Sequence, residues 1–247
     1  MSSSEDKSEW YCDWFDSPYY HTLYKTRDNQ EAQEFIRTLI GFLSPAPQSM
    51  MLDAACGKGR HAIFLASFGY QVHAFDLSPN NIELARKHES SGLKFFINDI
   101  RTPLKDTHYD YAFNMFTSFG YFEDEADNLK ALKAIYASLK PGGRFVMDFM
   151  NVARVMNHLV EQETKSIDGI DFHIEKSVSN GFIEKRITFS DRSRHFSFLE
   201  KVKIITRDQL IDLFVHAGFQ VLFEFGDYEL GDFNLQESDR IIIIAKK

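Results

Sequence analysis

The sequence is poor in cysteine. Its 247 residues include only Cys12 and Cys56, which lie far apart and lack the Cys/His spacing of a zinc site. We therefore expect neither a disulfide-stapled fold nor a thiolate metal centre, and we expect a reducing, cytoplasmic location. A chain of this length buries enough surface to fold without such cross-links.

Positive charge and long apolar runs are also scarce. The chain has 28 Lys and Arg against 36 Asp and Glu, a formal net charge of -8, and no basic run. Binding a phosphate backbone needs a local excess of positive charge, so a nucleic acid is not an expected partner. The apolar run at residues 241–245 is too short to span a bilayer, and the N-terminus does not resemble a signal peptide. These features predict no membrane partner and no export.

Between about residues 49 and 151, short apolar runs alternate with amphipathic segments. This alternation predicts an α/β fold with a doubly wound, mostly parallel, Rossmann-like sheet. Ser78 and Pro79 form a helix start, with an N-cap residue followed by proline at the first helical position. The strands are predicted at residues 50–52, 70–75, 93–97, 109–115 and 144–149, and the helices at 59–68, 80–87 and about 125–139.

After residue 151 the pattern changes to long strands separated by short turns. These strands predict an antiparallel β insertion at residues 152–205, which is a candidate lid or homodimer surface. Asn180-Gly181 is a hairpin signal of the primed kind. Thr206 and Gln209 have the spacing of a capping box, so the chain returns there to the main sheet. The inserted strands are predicted at residues 172–178, 182–189 and 194–204, and the returning strands at 219–225 and 240–245.

Residues 1–28 are unusually aromatic. We interpret this segment as a lid over a ligand, and the alternative is that its aromatic side chains form packed core. An amphipathic helix is predicted at residues 29–42, so the main domain comprises residues 29–151 and 206–247. The aromatic residues are Trp10, Tyr11, Trp14, Phe15, Tyr19, Tyr20 and Tyr24.

A glycine turn follows the first predicted strand. In Asp53-Ala54-Ala55-Cys56-Gly57-Lys58-Gly59, small residues allow a ligand to approach the backbone, and the helix that follows offers unpaired N–H groups. Asp76 ends the next strand, 17 residues after Gly59, where a carboxylate can accept hydrogen bonds from both hydroxyls of a ribose. Together these features predict a ribose-bearing cofactor. The spacing also fits a dinucleotide fingerprint, so two cofactor classes remain at this point.

Further motifs resemble those of the class I methyltransferases that depend on S-adenosyl-L-methionine (SAM). The resemblance covers roughly residues 30–150 and 206–247. In the glycine turn, Ala55 stands where the family usually has its first glycine. The other matching motifs are Asn98-Asp99-Ile100 after the third strand, the turn Leu139-Lys140-Pro141-Gly142-Gly143-Arg144, and Ala217-Gly218-Phe219 before the closing strands.

The resemblance implies SAM as the cofactor and S-adenosyl-L-homocysteine as the product. By this resemblance Asp76 would bind the ribose, Asp99 and the Ile100 N–H the adenine, and Asn114 and Phe116 would lie beside the sulfonium. The implied cofactor-binding residues are Asp53, Ala55, Gly57, Gly59, Asp76, Leu77, Asp99, Ile100, Asn114 and Phe116.

The predicted function is methyl transfer from SAM to an oxygen, nitrogen or carbon atom of a small molecule. His21 in the aromatic segment and His195 in the insertion are the candidate bases. No cluster of His and carboxylate residues has metal-ligand spacing, so we expect transfer without a metal. Two alternatives remain: an NAD-dependent oxidoreductase, for which we identify no hydride-transfer constellation, and a non-catalytic protein that keeps SAM as a structural or sensing ligand.

Overall fold

The computed structural model describes residues 10–25, 29–104 and 108–247. The chain forms two compact units. The first unit comprises the described residues of Met1–Arg27 together with Val160–Val202, and the second those of Asp28–Leu159 together with Lys203–Lys247. Within the described residues, no helix has the length and apolar character needed to cross a membrane.

The described residues form eleven strands and eight helices. The strands are β1 (Met50–Ala54), β2 (Gln71–Asp76), β3 (Leu93–Ile97), β4 (Tyr109–Asn114), β5 (Leu139–Met150), β6 (Gln162–Ile167), β7 (Ile170–Ser179), β8 (Phe182–Asp191), β9 (Arg194–Lys203), β10 (Gln220–Phe225) and β11 (Arg240–Lys246). The helices are α1 (Trp10–Phe15), α2 (Pro18–Leu23), α3 (Asn29–Leu43), α4 (Arg60–Ser67), α5 (Pro79–Arg86), α6 (Glu125–Ser138), α7 (Val152–Asn157) and α8 (Arg207–Ala217).

The second unit contains a seven-stranded sheet in the order β10-β11-β5-β4-β1-β2-β3. Strands β1 to β5 pair in parallel, and β11 runs antiparallel to both of its neighbours. Five successive residues of β11, from Ile241 to Ala245, are buried, as expected for a strand covered on both faces. The α/β fold class with a mostly parallel sheet is confirmed.

The two helix starts that were predicted from capping residues, at Ser78 and Thr206, are also confirmed. Ser78 accepts a hydrogen bond from the Asn81 N–H at 3.0 Å, and Pro79 occupies the first position of α5. Thr206 and Gln209 form the capping box of α8, and Gly218 ends this helix in the left-handed conformation. These residues satisfy backbone groups that a helix end leaves without partners.

The first unit contains the antiparallel sheet β6-β7-β8-β9. Type I′ turns, the primed kind that Asn-Gly favours, need positive φ at both central residues. Asn180 and Gly181 have φ of 49° and 79°, so the predicted turn is present, and Arg192 and Ser193, with φ of 47° and 63°, form a second turn of this kind. Strand β6 and the short helices α1, α2 and α7 were not predicted.

Aromatic side chains form the core of the first unit. Trp14 is fully buried, and its ring lies 4.6 Å from that of Phe198. Its indole N–H donates to Glu200 at 2.5 Å, and the Tyr24 hydroxyl donates to the same carboxylate at 2.6 Å. The Tyr19 hydroxyl donates to Asp191 at 2.8 Å. The N-terminal segment is therefore an integral layer on this sheet.

Candidate functional site

The loops that follow β1, β2 and β3 meet at the carboxyl edge of the seven-stranded sheet. The Gly57 N–H donates to Asp76 Oδ2 at 2.8 Å, and the Ser78 N–H donates to Oδ1 at 2.9 Å. The Asn98 N–H donates to the Asp76 carbonyl at 3.2 Å. Asp76, with Leu77 directly after it, thus lies at the centre of this edge, where parallel sheets bind their ligands.

The glycine turn before α4 depends on left-handed backbone. Ala55, Gly57 and Gly59 have φ of 59°, 56° and 82°. A Cβ atom at Gly59 would lie 2.5 Å from the Phe95 ring, so glycine is required there for space as well as for conformation. Ala55 adopts its φ with a Cβ present, which costs roughly 1–2 kcal/mol.

Asp53 is buried at the end of β1 and caps the helix that follows the turn. Its carboxyl group accepts a hydrogen bond from the Ala62 N–H near the start of α4. Burial raises the pKa of Asp53 to about 7, and the nearby charge of Asp76 adds to the shift. Among the described residues, Asp53 Oδ2 has no hydrogen-bond partner.

Asn114, at the end of β4, is fully buried and reaches towards the same turn. Its amide donates to the Ala54 carbonyl at 3.0 Å and to the Ser118 carbonyl at 3.2 Å. Asn114 Oδ1 has no partner in the part of the chain that the structure describes. Two buried acceptor atoms without donors, Asp53 Oδ2 and Asn114 Oδ1, fit a ligand that carries an ammonium or hydroxyl group, because such atoms are costly to leave unpaired.

His61, in the first turn of α4, was missed by the sequence analysis. It is buried, and burial lowers the pKa of its imidazole to about 3, with a further contribution from Arg60. Its Nε2 has no partner among the described residues, and its ring lies 5.6 Å from that of Phe116. A histidine directly after Gly-x-Gly-Arg was the signal available in the sequence.

Asp99 and Ile100 follow β3, and Asp99 is bound by an arginine. Arg101 donates to the Asp99 carboxylate from its backbone N–H at 2.8 Å and from its guanidinium at 2.6 Å. Burial raises the pKa of Asp99, but the hydrogen bonds from Arg101 outweigh it and hold the pKa below its ordinary value. Asp99 is therefore held as a carboxylate by Arg101, which donates to both of its oxygens.

His21 and His195 belong to the first unit. His21 lies on α2 with its ring 5.3 Å from that of Tyr20. His195 lies near the start of β9, is exposed, and has Nδ1 3.4 Å from the Ser190 hydroxyl. Within residues 10–25, 29–104 and 108–247, no three His, Cys, Asp or Glu side chains come together as a metal site would require.

Comparisons with known proteins agree with this geometry. A family model described as "Methyltransferase domain" matches residues 51–143. The glycine/sarcosine/dimethylglycine N-methyltransferase of Actinopolyspora halophila is 28% identical over 208 residues, which are 80% of this chain and 36% of that protein. The glycine/sarcosine N-methyltransferase of Parasynechococcus marenigrum is 28% identical over 233 residues, which are 91% of this chain and 79% of that protein.

A solved structure shares the fold. The S-adenosylmethionine-dependent methyltransferase from Clostridium acetobutylicum matches with a TM-score of 0.79 and 21% identity, covering 92% of this chain and 95% of that one. The chain contains a methyltransferase domain, and its fold is that of the class I SAM-dependent methyltransferases. The cofactor of this methyltransferase is SAM, and an NAD-dependent oxidoreductase is set aside. The assignment of individual residues to SAM is taken up below as a proposal.

Proposed function

We propose that this methyltransferase transfers the methyl group of SAM to the nitrogen of a small amine. The observation that carries this proposal is its likeness to the two N-methyltransferases above, which extends over 80% and 91% of the chain. Their printed names give glycine and sarcosine as acceptors. Because the chain spans only 36% of the Actinopolyspora protein, the acceptor is inferred from the shared part alone.

The residues near Phe116 support an amine acceptor. SAM supplies a methyl group that is already activated on a sulfonium. A neutral amine can attack it unaided, whereas a hydroxyl needs a base to take its proton. Burial and the charge of Asp148 raise the pKa of the Tyr228 phenol, which therefore keeps its proton, and Asp148 is paired with Arg240 at 2.7 Å. The Tyr228 phenol is therefore not suited to accept a proton.

The reaction then needs position more than proton transfer. The amine lone pair forms the new N–C bond as the S–C bond breaks, and the electron pair of that bond stays on sulfur. The methylated ammonium product releases its proton to water. Holding the amine nitrogen, the methyl carbon and the sulfur in line supplies most of the acceleration.

The binding roles of the site residues form part of the proposal. Asp76 accepts from the ribose hydroxyls, and Asp99 with the Ile100 N–H binds the adenine. Asp53 Oδ2 and Asn114 Oδ1 are supported as acceptors for the ammonium group of the methionine part, because both are buried and have no donor among the described residues. Ala55, Gly57 and Gly59 allow close backbone approach.

The test uses two acceptors that differ in one atom. Labelled SAM is incubated with glycine or with glycolate, which has a hydroxyl in place of the amine and keeps the carboxylate. Sarcosine is tested beside them. We expect methylation of an amine and none of glycolate, with the N–CH₃ bond identified by mass spectrometry. Methylation of glycolate, with no methylation of glycine or sarcosine, would contradict the amine assignment.

The two candidate bases give a second test. If the acceptor is an amine, His21→Asn and His195→Asn retain turnover. If it is a hydroxyl, replacing the true base lowers turnover by about a hundredfold to ten-thousandfold with little change in SAM affinity. A loss of this size in either variant would favour a hydroxyl acceptor.

The location and assembly are proposals as well. We propose a cytoplasmic protein, supported by the scarcity of cysteine in the sequence. We also propose that the first unit serves as a lid or as a homodimer surface. Sedimentation velocity with and without SAM tests the homodimer, since only that function predicts a dimeric mass.

A further inference from the structure

Two successive residues after β4 adopt left-handed backbone without being glycine. Phe116 has φ of 59° and Thr117 has φ of 58°. Side chains with a Cβ atom disfavour this region, so such residues persist only where surrounding contacts hold them. The contacts that hold these two residues come from the carboxylate and the backbone carbonyl of a fully buried aspartate.

Asp148, near the end of β5, binds the backbone of both residues. The Phe116 N–H donates to Asp148 Oδ2 at 2.8 Å, and the Thr117 N–H donates to the Asp148 carbonyl at 3.0 Å. Asp148 is fully buried. A hydrogen bond from a backbone N–H to a buried carboxylate is stronger than one between neutral groups, so it can offset unfavourable backbone conformation.

Arg240 and Tyr228 complete the surroundings of this carboxylate. The Arg240 guanidinium donates to Asp148 Oδ1 at 2.7 Å and to the Thr117 hydroxyl at 3.0 Å. The Tyr228 hydroxyl donates to Asp148 Oδ2 at 3.2 Å. Asp148 and Arg240 neutralise each other, so this network fixes a loop without placing net charge beside it.

The side chain of Phe116 connects the loop to the glycine turn. Its ring lies 3.9 Å below the Arg60 guanidinium carbon, 5.6 Å from the His61 ring and 5.7 Å from the Tyr228 ring. Arg60 and His61 begin α4, directly after Gly59. Phe116 is thus held between the turn expected to contact SAM and the polar network of β5 and β11.

We propose that Asp148 is a positioning residue for methyl transfer: with Arg240 and Tyr228 it fixes the Phe116–Thr117 loop as the wall that aligns the acceptor with the methyl group. The inference rests on methyl transfer at this edge of the sheet, but it does not depend on the acceptor being an amine. SAM itself is held mainly by the turns after β1, β2 and β3, so losing Asp148 affects alignment more than cofactor affinity.

The test compares Asp148→Asn with Asp110→Asn. Asp110 is a matched control, because it also accepts a backbone N–H, from Met50 at 2.9 Å, and pairs with a cation, Lys140 at 2.8 Å. It lies at the opposite end of β4. Three readouts are taken on the full chain: hydrogen exchange of residues 115–118, SAM affinity by calorimetry, and kcat with whichever of glycine, sarcosine and glycolate the enzyme methylates.

In Asp148→Asn we expect exchange at residues 115–118 to speed up by about ten- to a hundredfold, the factor that corresponds to losing a hydrogen bond to a charged group. We expect kcat to fall by at least about tenfold, while SAM affinity changes by less than about threefold. Asp110→Asn should change none of the three. The exchange and affinity readouts need no acceptor, so they can fail or succeed separately from the amine assignment.

Three results would overturn the proposal. The first is parental exchange and parental kcat in Asp148→Asn. The second is equal losses of kcat and SAM affinity, which would make the loop part of cofactor binding alone. The third is faster exchange spread over the whole sheet. If Asp148→Asn does not fold, Thr117→Val is used instead. This variant keeps the Asp148–Arg240 pair and removes the hydrogen bond from Arg240 to the Thr117 hydroxyl. An unchanged kcat in Thr117→Val would also overturn the proposal.

Discussion

The two units of the chain differ in how the polar groups at their centres are paired. In the first unit the indole of Trp14 and the hydroxyls of Tyr19 and Tyr24 all donate to carboxylates within 2.8 Å. In the second unit, by contrast, Asp53 Oδ2 and Asn114 Oδ1 are buried without a partner among the described residues. Both units are well packed, so burial alone does not distinguish them.

The difference indicates what each unit is built to do. A buried polar group that has its partner stabilises the fold, and one that has none lowers stability until a ligand supplies the partner. The first unit therefore has the character of a self-sufficient scaffold. At the carboxyl edge of the second unit, the unpaired buried groups lower the stability of the fold and leave acceptors for a ligand.

The largest expected effect is the loss of packing in the first unit. Trp14→Ala removes a fully buried indole and a hydrogen bond to Glu200, which should lower the free energy of unfolding by about 3–5 kcal/mol. Urea unfolding measures the loss, and Phe68→Ala, at a half-exposed ring, is the control. Calorimetry then measures the SAM affinity of the folded variant. Weaker SAM binding would support a lid function for the first unit, and unchanged binding would support a scaffold function.

The two shifted groups of the second unit should give opposite pH dependences. Asp53 has a pKa of about 7 instead of 3.8, so the folded state holds an extra proton between these values and its contribution to stability falls as pH rises. His61 has a pKa of about 3 instead of 6.5, so the unfolded state binds the extra proton and its contribution rises with pH. Each contributes a slope of at most about 1.4 kcal/mol per pH unit.

Urea unfolding between pH 5 and 6.5 separates the two contributions. Relative to the parent, Asp53→Asn should gain stability as pH rises, and His61→Gln should lose it. If the free energy of unfolding of both variants depends on pH as that of the parent does, neither pKa is shifted by folding.

Cofactor binding should depend on Asp76 by a somewhat smaller amount. Asp76→Ala removes the proposed acceptor for two ribose hydroxyls, and we expect SAM affinity to fall by about 1.5–3 kcal/mol. Asp124→Ala is the matched control, because Asp124 also accepts a backbone N–H, from Ala126 at 2.9 Å, at the start of α6. Calorimetry should show parental SAM affinity for the control. Equal affinities in all three proteins would refute the ribose assignment.

The smallest effect concerns the backbone of the glycine turn. Ala55→Gly relieves a left-handed alanine and should raise the free energy of unfolding by about 1 kcal/mol. Ala54→Gly, one residue earlier in β1, should lower it by about 0.5–1 kcal/mol, because glycine weakens a strand. Thermal unfolding of the two variants checks this difference in sign between neighbouring residues.

Most of the parallel sheet could be predicted from the sequence because its strands are short, apolar runs bounded by polar turns. Strand β6 could not, since Gln162–Ile167 contains a single apolar residue. The Asp168-Gly169 turn after it, with φ of 51° and 79°, was a hairpin signal that would have revealed it. Helices α1, α2 and α7 have six residues each, too few for a periodic pattern to emerge.

Sequence analysis identified the site residues that are close together in sequence and missed those that only the fold brings together. Asp53, Gly57, Gly59 and Asp76 lie close enough in sequence for a motif to identify them. Asp148, Tyr228 and Arg240 meet only because β11 returns beside β5, so no local spacing links them. A lone aspartate in the apolar strand of residues 144–150 was the one available signal, because a buried carboxylate needs a partner.

The long sequence separation between Trp14 and Glu200, which are joined by a hydrogen bond, has a consequence for synthesis of the chain. The two residues are separated by 186 positions. At a translation rate of about 5–20 residues per second, the aromatic segment leaves the ribosome roughly ten to forty seconds before its sheet is complete. Until residue 162 is synthesised, its indole and phenol rings have none of the first unit's strands to cover them. Expression of this chain should therefore depend on chaperones that bind nascent aromatic segments, and circular permutation that joins residues 10–25 directly to the sheet should relieve that dependence.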